Sequence, residues 1–583
     1  MKITGSQIII EALVEQGCDC VFGYPGGQVI NIYDALYQNQ DRIKHIITAH
    51  EQGASHAADG YARATGKTGV VIATSGPGAT NLVTGIATAY LDSVPMVAIT
   101  GNVPCSLLGR DSFQEVDICG VTLPITKHNF IVKDVNELAD TIREAFLIAK
   151  SGRPGPVLID IPKDVQIAQC EFENKPVAPA YEFPKASDED IEKAAELISK
   201  SEKPYIYCGG GIISGNADEE VQKLAEIIDS PIGCSMMGVS AIPVSNPRYL
   251  GMQGMHGHYA SSMAQAEADL VIAVGARFSD RATGNKAVYV RNCKIIHIDV
   301  EAAEIDKNIT SQLGINGDVK ETLSRIIEKV APQKHPEWSA EIEKLKETEK
   351  QQVESCMNPA EGKDCTLCTS PCSHSGISAA ERLNPFKIVD VISEFADNET
   401  IIATDVGQHQ MWTAQRYPFE IPRTFISSGG LGTMGFGMGA AIGAYTATGK
   451  KTVLVTGDGS FGMNLNELAT AVSNDVPMII VIMNNGVLGM VRQWQTLFFD
   501  KHYSNTTLDR KTDFIKLAEA FGAKGVRVQT VSELEEAAKN AFAENNGPIV
   551  IECLVDCDEF VLPMLPPGGS IDDIITEIHG GEI

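Results

Sequence analysis

Residues 60–67, GYARATGK, return 383 positions later as GAYTATGK at 443–450, and the residues after each copy are also alike. VVIATSGPG (70–78) comes after the first and VLVTGDG (453–459) after the second, while Asp92-Ser-Val-Pro-Met96 is matched by Asp475-Val-Pro-Met478. A helix-then-strand unit repeated near the two ends of a chain predicts two copies of one parallel α/β domain. Between them, residues 190–335 alternate helical and strand runs in a third α/β pattern, Rossmann-like in its strand ends. The expected architecture is therefore three parallel-sheet α/β domains at 1–180, 190–335 and 381–583, with a linker at 336–380.

The second copy holds the densest chemistry. Thr452–Thr456 is a short β-rich run that stops at Gly457-Asp458-Gly459; a helical segment comes next, then a buried run ending at Asn484-Asn485. In such a βαβ unit both strands are parallel, so Asp458 and Asn485 emerge at one carboxyl edge, where open α/β sheets bind ligands. A carboxylate and an amide oxygen are hard ligands for Mg²⁺ or Ca²⁺, and the glycines let a bulky anion approach the backbone. Mg²⁺ keeps few protein ligands and prefers phosphate oxygens, which suggests a metal holding a diphosphate. Two ordinary strand-to-helix turns would look the same at either motif taken alone.

The net charge of −28 argues against a nucleic-acid or anionic-membrane partner. No apolar run approaches the roughly 18 residues that a membrane-spanning helix needs. The opening MKITGSQIIIEALVEQG is not expected to be a signal peptide, because Glu11 and Glu15 interrupt apolar positions at helical spacing. Most of the cysteines sit singly in apolar surroundings, as at Cys208 and Cys234, which favours core packing in a reducing cytoplasm.

In the first copy the run Ile43–Thr48 ends at His50-Glu51, which places a carboxylate at the carboxyl edge with apolar sequence around it; a solvated turn residue is the simpler reading. The spacing of Asp458 and Asn485 resembles the metal motif of the thiamine-diphosphate (ThDP) enzymes. That resemblance implies Mg²⁺ ligation by Asp458, Asn485 and the Val487 carbonyl, and a Glu51 contact to the cofactor's aminopyrimidine that drives its proton transfer. It also implies that one copy holds the pyrimidine and the other the diphosphate. The cofactor then lies between two domains, of different subunits in a two-fold dimer, or in a tetramer of such dimers.

Further strings narrow the resemblance. FGYPGG (22–27), TSGPGATN (74–81), SFQE (112–115), VGQHQMW (406–412) and LGMVRQW (488–494) are similar to the large subunit of acetohydroxyacid (acetolactate) synthases, over nearly the whole chain. The implied ThDP contacts are Pro25, Gly26, Glu51, Pro77, Asn81, Gly407, Gln408, His409, Met434, Gly457, Gly459, Ser460 and Met490. Met434 would be the apolar prop behind a bent cofactor, although a lone core Met is the default. Gln114, Lys163, Trp494 and Arg281 fall at family active-site positions, the last two implied in acceptor choice and carboxylate recognition. The implied reaction decarboxylates pyruvate on ThDP and joins the two-carbon unit to pyruvate or 2-ketobutyrate, an early step of branched-chain amino-acid synthesis. A small regulatory subunit is the implied partner.

The middle domain bears on flavin. VIAVGARFSDR (271–281) runs into Gly275, Arg277, Asp280 and Arg281; other strands end at Asp299 and Asp318. Acidic strand ends meet ribose hydroxyls and arginines suit pyrophosphate, but no intact GxGxxG is present and Gly209-Gly210-Gly211 is a weak substitute. The family resemblance adds Arg153 and His256 and implies FAD, in a reaction without net redox change. A flavin-free catabolic acetolactate synthase and glyoxylate carboligase are the enzyme alternatives; a non-catalytic redox sensor on a ThDP fold is the third.

One segment departs from the family. Cys356, Cys365, Cys368 and Cys372 lie within a Pro/Gly/Ser-containing stretch, spaced as a loop that could wrap Zn²⁺ or an iron–sulfur cluster. A redox-sensitive disulfide and an incidental loop stay open beside it.

Overall fold

The structure is a computed structural model that describes residues 1–177, 181–291, 293–357, 381, 383–508 and 510–577. Three six-stranded sheets, one per domain, carry it. The N-terminal sheet runs Lys44–Ile47, Cys20–Tyr24, Gly69–Ala73, Met96–Asn102, Pro156–Pro162, His128–Ile131, all parallel. The C-terminal sheet runs Phe425–Ile426, Ile401–Thr404, Thr452–Gly457, Ile479–Asn484, Ile549–Leu554, Lys524–Val528. Numbered in chain order within each sheet, both read 2-1-3-4-6-5, so the internal repeat is a repeat of topology. The middle sheet, Tyr249–Met252, Ile232–Cys234, Pro204–Cys208, Leu270–Val274, Lys294–Asp299, Leu313–Asn316, reads 3-2-1-4-5-6, the order of dinucleotide-binding folds.

Parallel strands covered by helices on both faces must be apolar throughout. Val70–Ala73, Leu270–Val274 and Ile479–Ile482 are accordingly buried residue by residue. Where strand order reverses, the two flanking connections diverge to opposite faces and leave a crevice at the carboxyl edge. The reversals put Pro25–Gly26 beside Thr74–Pro77, Gly209–Gly211 beside Gly275–Arg277, and Val406–His409 beside Gly457–Ser460.

The repeated octapeptide has a mechanical role. Glu51–Thr65 and Phe436–Thr448 are helices that stop at Gly66 (φ 73°) and Gly449 (φ 66°), left-handed positions that favour glycine. In each copy the threonine before the glycine donates to the carbonyl four residues back and accepts from the next lysine's N–H, at 3.1 Å in the first and 3.2 Å in the second. The two helices pack on each other backbone to backbone. A Cβ at Gly60 would overlap the Ala440 carbonyl, and one at Gly443 the Ala57 carbonyl.

Residues 336–357, expected to begin a linker, form a helix on the middle domain. Trp338 is buried and donates to the Pro204 carbonyl at 3.0 Å; Glu349 accepts from the Ala260 N–H and meets His258 Nδ1 at 2.6 Å. Cys356 lies in its last turn, but the Cys356 side chain and all of Cys365, Cys368 and Cys372 fall outside the described residues. Among the described residues no helix is long and apolar enough to cross a membrane, and no disulfide joins two cysteines.

Two outcomes are expected. Gly→Ala inside a helix ordinarily stabilises by up to ~1 kcal/mol, so Gly443→Ala lowering the melting temperature would identify the helix contact as backbone-tight. Glu349 lies below the ordinary 4.5, where the His258 charge holds it against the effect of burial; the Glu349 charge holds His258 above the ordinary 6.5. The pair therefore stabilises most between about pH 4.5 and 6.5, and its contribution falls as pH rises through the raised His258 value. Glu349→Gln should cost most melting temperature in that window and least at alkaline pH.

Candidate active site

In the C-terminal domain Asp458 opens the helix Asp458–Asn464 and is 7 % exposed. Burial pushes its carboxyl up to about 7 despite the N–H groups of its own residue and Gly459 and a distant Arg510. A buried carboxylate held so high is a group that a bound cation would return to its charged form. Asn485 sits on the adjacent strand end; its Oδ1 accepts from the Val487 N–H at 3.1 Å and its Nδ2 reaches Gln408 Oε1 at 3.4 Å. The Leu488 N–H to Thr506 carbonyl bond (2.8 Å) and the Val487–Thr507 bridge pin the turn. Expected ligands Asp458, Asn485 and Val487 are thus brought together.

His409 faces the same crevice. A Cβ at Gly457 would stand 3.0 Å from its Nδ1; its Nε2 is buried without a hydrogen-bond partner, and burial lowers it to about 3. Ser460 donates to the Val406 carbonyl at 2.9 Å, closing Gly407 over the helix start. Gln408 is engaged by Gln493 and the Glu559 carbonyl and acts as a brace. A buried imidazole with an unpartnered nitrogen beside a glycine-flanked helix start is suited to an anionic oxygen. Met434 Cε would lie 3.8 Å from a Cβ on Gly459, which puts it over the same helix start.

In the N-terminal domain Glu51 opens its helix, 9 % exposed, and accepts from Asn81 Nδ2 at 2.9 Å. Pro77 is the first residue of the helix Pro77–Asn81 that delivers Asn81. Gly26 lies so close to Thr74 that a Cβ would strike its side chain at 2.5 Å, which holds Pro25 and Gly26 at this edge. Lys163 Nζ donates to the Gly27 carbonyl at 3.1 Å, and Gln114, at φ 61°, backs onto Gly76. All seven expected residues of this half converge on one sheet edge.

Glu467 is a residue that the sequence alone does not single out. It comes from the C-terminal domain, is fully buried, and accepts the N–H groups of Ala49 (3.1 Å) and His50 (2.9 Å) in the turn that delivers Glu51. Burial raises its carboxyl, against the pull of Thr470 and those two N–H groups. Glu467-Leu-Ala-Thr reads as an ordinary amphipathic helix start, so no sequence signal distinguishes it.

In the middle domain Gly209 crosses Gly275 (φ 57°) so tightly that a Cβ would overlap the Gly275 carbonyl, and Gly210 begins the next helix. Arg277 is half-buried; its carbonyl accepts from Asn308 Nδ2 at 3.0 Å, and its guanidinium makes no hydrogen bond or ion pair among the described residues. His256 is buried with Nδ1 unpartnered and lowered by burial to about 4; burial raises Asp299 to about 6. Three expected flavin residues are otherwise engaged or exposed. Arg153 donates to Ser93, Glu304 and the Tyr90 and Leu91 carbonyls, Asp318 caps the helix Val319–Lys329, and the Asp280 side chain is 83 % exposed. Arg281 reaches across to the C-terminal domain, its guanidinium 5.6 Å from the Trp494 ring centre. A cavity of about 1700 Å³ runs from Gly210, Arg277 and Asp299 to Gly407, Met434, Met490 and Trp494.

Three family patterns match this chain: the thiamine pyrophosphate enzyme N-terminal TPP binding domain over residues 3–121, the central domain over 191–326, and the C-terminal TPP binding domain over 405–553. The chain is 43 % identical to the probable acetolactate synthase large subunit of Methanocaldococcus jannaschii, covering 99 % of this chain and 95 % of that one. It is 42 % identical to the acetolactate synthase isozyme 1 large subunit of Escherichia coli K12, covering 99 % and 98 %. The chain belongs to the acetolactate synthase large-subunit family of thiamine pyrophosphate enzymes. With this family membership, the two switch-point crevices correspond to its two TPP binding domains.

Removing Glu467 would leave two N–H groups unpaired beside Glu51. Glu467→Ala should lower kcat/KM about 10- to 100-fold in a folded protein, while Glu467→Gln, which keeps one acceptor oxygen, should lose less. Steady-state kinetics together with circular dichroism check this.

Proposed function

We propose that the chain is the catalytic large subunit of an acetolactate synthase, which decarboxylates pyruvate and joins the two-carbon unit to a second 2-keto acid, pyruvate or 2-ketobutyrate. The observation that carries this reading is the pairing of two chemically different half-sites at the carboxyl edges of a duplicated sheet. One offers Asp458, Asn485 and the unpartnered His409 nitrogen; the other offers a buried Glu51.

The donor set fits ThDP with Mg²⁺. Asp458, Asn485 and the Val487 carbonyl would hold the metal, Gly457, Gly459, Ser460, Gly407, Gln408 and His409 the diphosphate, and Pro25, Gly26, Pro77 and Asn81 the pyrimidine side. When bound, ThDP supplies the electron sink for loss of CO₂. Glu51, kept from water and oriented by Asn81, would move a proton to and from the aminopyrimidine. Gln114 and Lys163 would reach the substrate from the Glu51 edge, and Arg281 with Trp494 would sort the acceptor at the cavity mouth.

The Glu51 edge does not line the large cavity, which supports completion by a second copy in a two-fold homodimer or a tetramer of dimers. Tyr24, Ile47 and Phe113, exposed at 41, 48 and 83 %, give the same edge an apolar face for that partner. The Arg277 guanidinium, unpaired among the described residues, with Gly210, Gly275, His256 and Asp299, supports FAD over the flavin-free reading. A small regulatory subunit, a cytoplasmic location, and a Zn²⁺ or iron–sulfur site at Cys356, Cys365, Cys368 and Cys372 complete the proposal.

The test is acetolactate formation from pyruvate by anaerobically purified protein, with and without ThDP, Mg²⁺ and FAD. Activity should require all three, and Glu51→Gln should lower kcat about 10²- to 10⁴-fold. Asp458→Ala should abolish Mg²⁺-dependent ThDP binding. Full activity without FAD would select the flavin-free enzyme; tight ThDP binding with no turnover of pyruvate would overturn the donor assignment.

A further inference from the structure

Met434 ends a loop, 427–434, that holds Gly429, Gly430 and Gly432 and has no helix or strand beyond Ser427. Such a segment has much backbone freedom to lose, so what fixes it matters. Its entry is tied within its own domain, where Gln410 Nε2 donates to Ser427 Oγ (2.7 Å) and the Ser428 carbonyl (3.0 Å). From Gly429 to Thr433 the anchors outside the loop come, among the described residues, from the N-terminal domain of the same chain. Asp92 accepts the Gly429 N–H at 3.1 Å and the Gly430 N–H at 2.6 Å, and Thr88 Oγ1 meets Thr433 Oγ1 at 2.8 Å, one residue before Met434.

The anchor is itself built. The Asp92 side chain is fully buried and pairs with Arg63 Nη2 at 2.9 Å; Arg63 also holds Asp59 and donates to the Ser427 carbonyl at 2.9 Å. Thr88 spends its own proton on the Thr84 carbonyl, so it accepts from Thr433. A charged acceptor with two converging backbone N–H groups is a strong and directional clamp, and burial removes competing water. Next to it Arg153 donates to Ser93 and pairs with Glu304 of the middle domain, so segment 90–93 is where the three domains meet.

We infer that Asp92, held by Arg63 and seconded by Thr88, is the positioning group for Met434: one domain sets the height of the prop that another domain presents to the cofactor. The inference rests on the ThDP reading for its consequence, though not for its geometry. Asp92→Asn replaces the charged acceptor by an amide and weakens the hold on Gly429 and Gly430; Thr88→Val removes the acceptor for Thr433 with little change of volume, and Thr88→Ser restores it.

The first readout needs no cofactor. In cofactor-free protein, amide hydrogen exchange across 427–435 should be faster in Asp92→Asn and Thr88→Val than in wild type, and normal in Thr88→Ser. The second is hydrogen–deuterium exchange at the thiazolium C2 of ThDP bound with Mg²⁺. It should slow about tenfold in Asp92→Asn while ThDP affinity changes less than about threefold, the pattern of lost orientation rather than lost binding. Unchanged loop protection in both variants would overturn the clamp. Altered protection with unchanged C2 exchange would overturn its role in positioning. If Asp92→Asn fails to fold by circular dichroism, the Thr88 pair decides. Wild type that binds no ThDP would sink the proposed function, with the loop exchange still judging the clamp.

Discussion

The constraint on which the arrangement of the outer domains depends is contact without side chains between the helices Glu51–Thr65 and Phe436–Thr448. Ala440 and Ala57 carbonyl oxygens occupy the space where Cβ atoms of Gly60 and Gly443 would be. Backbone atoms that close leave no rotamers through which the interface can relax, so the first and third domains are held at one separation. Glu467 can therefore reach the turn before Glu51, and Asp92 can reach Gly429 and Gly430. The repeated GYARATGK and GAYTATGK strings are the ends of this contact, and their Thr-Gly-Lys tails are helix stops.

Topology then does the work of bringing distant residues together. Each sheet reverses its strand order beside its first strand, and that reversal gathers glycine-rich turns that carry candidate ligands. The duplicated sheet has diverged in what it presents there. One copy offers an acid in a helix start backed by another domain's carboxylate, the other an acid with an amide and an imidazole. Burial raises both Asp458 and Glu467, but they are placed for different ends: Asp458 faces the crevice where a cation would compensate it, whereas Glu467 is satisfied by N–H donors of the protein itself.

Features were legible in the sequence to the extent that they are local. The GDG and NN turns, His50-Glu51, and the GPG start of Asn81's helix are read from strand ends and glycine, and the structure brings their partners to the expected edges. The matching strand order of the two outer sheets follows from the repeat. Glu467, Asp92 and Thr88 were not legible in this role, because each looks like an ordinary helix or turn residue until a segment hundreds of positions away meets it. The family resemblance implies a flavin contact for Arg153, yet its donors go to Ser93, Glu304 and two carbonyls. The helix through Met357 is hard to recognise as part of the middle domain because its sequence is mostly charged, and its docking depends on a few contacts, Trp338 and Glu349 above all.

The cavity has walls of two kinds. Near Gly211 and Gly275 its shape is set by crossing main chain, where almost any added atom collides. At the far end it is bounded by Arg281 and Trp494, side chains from different domains, the arginine 61 % exposed and held by a ring contact. Substitutions there change the size and charge of the opening without touching a strand or a helix crossing. The glycine crossings are thus the part of the cavity least able to vary and the Arg281–Trp494 opening the part most free to, so that selection can retune one without endangering the other.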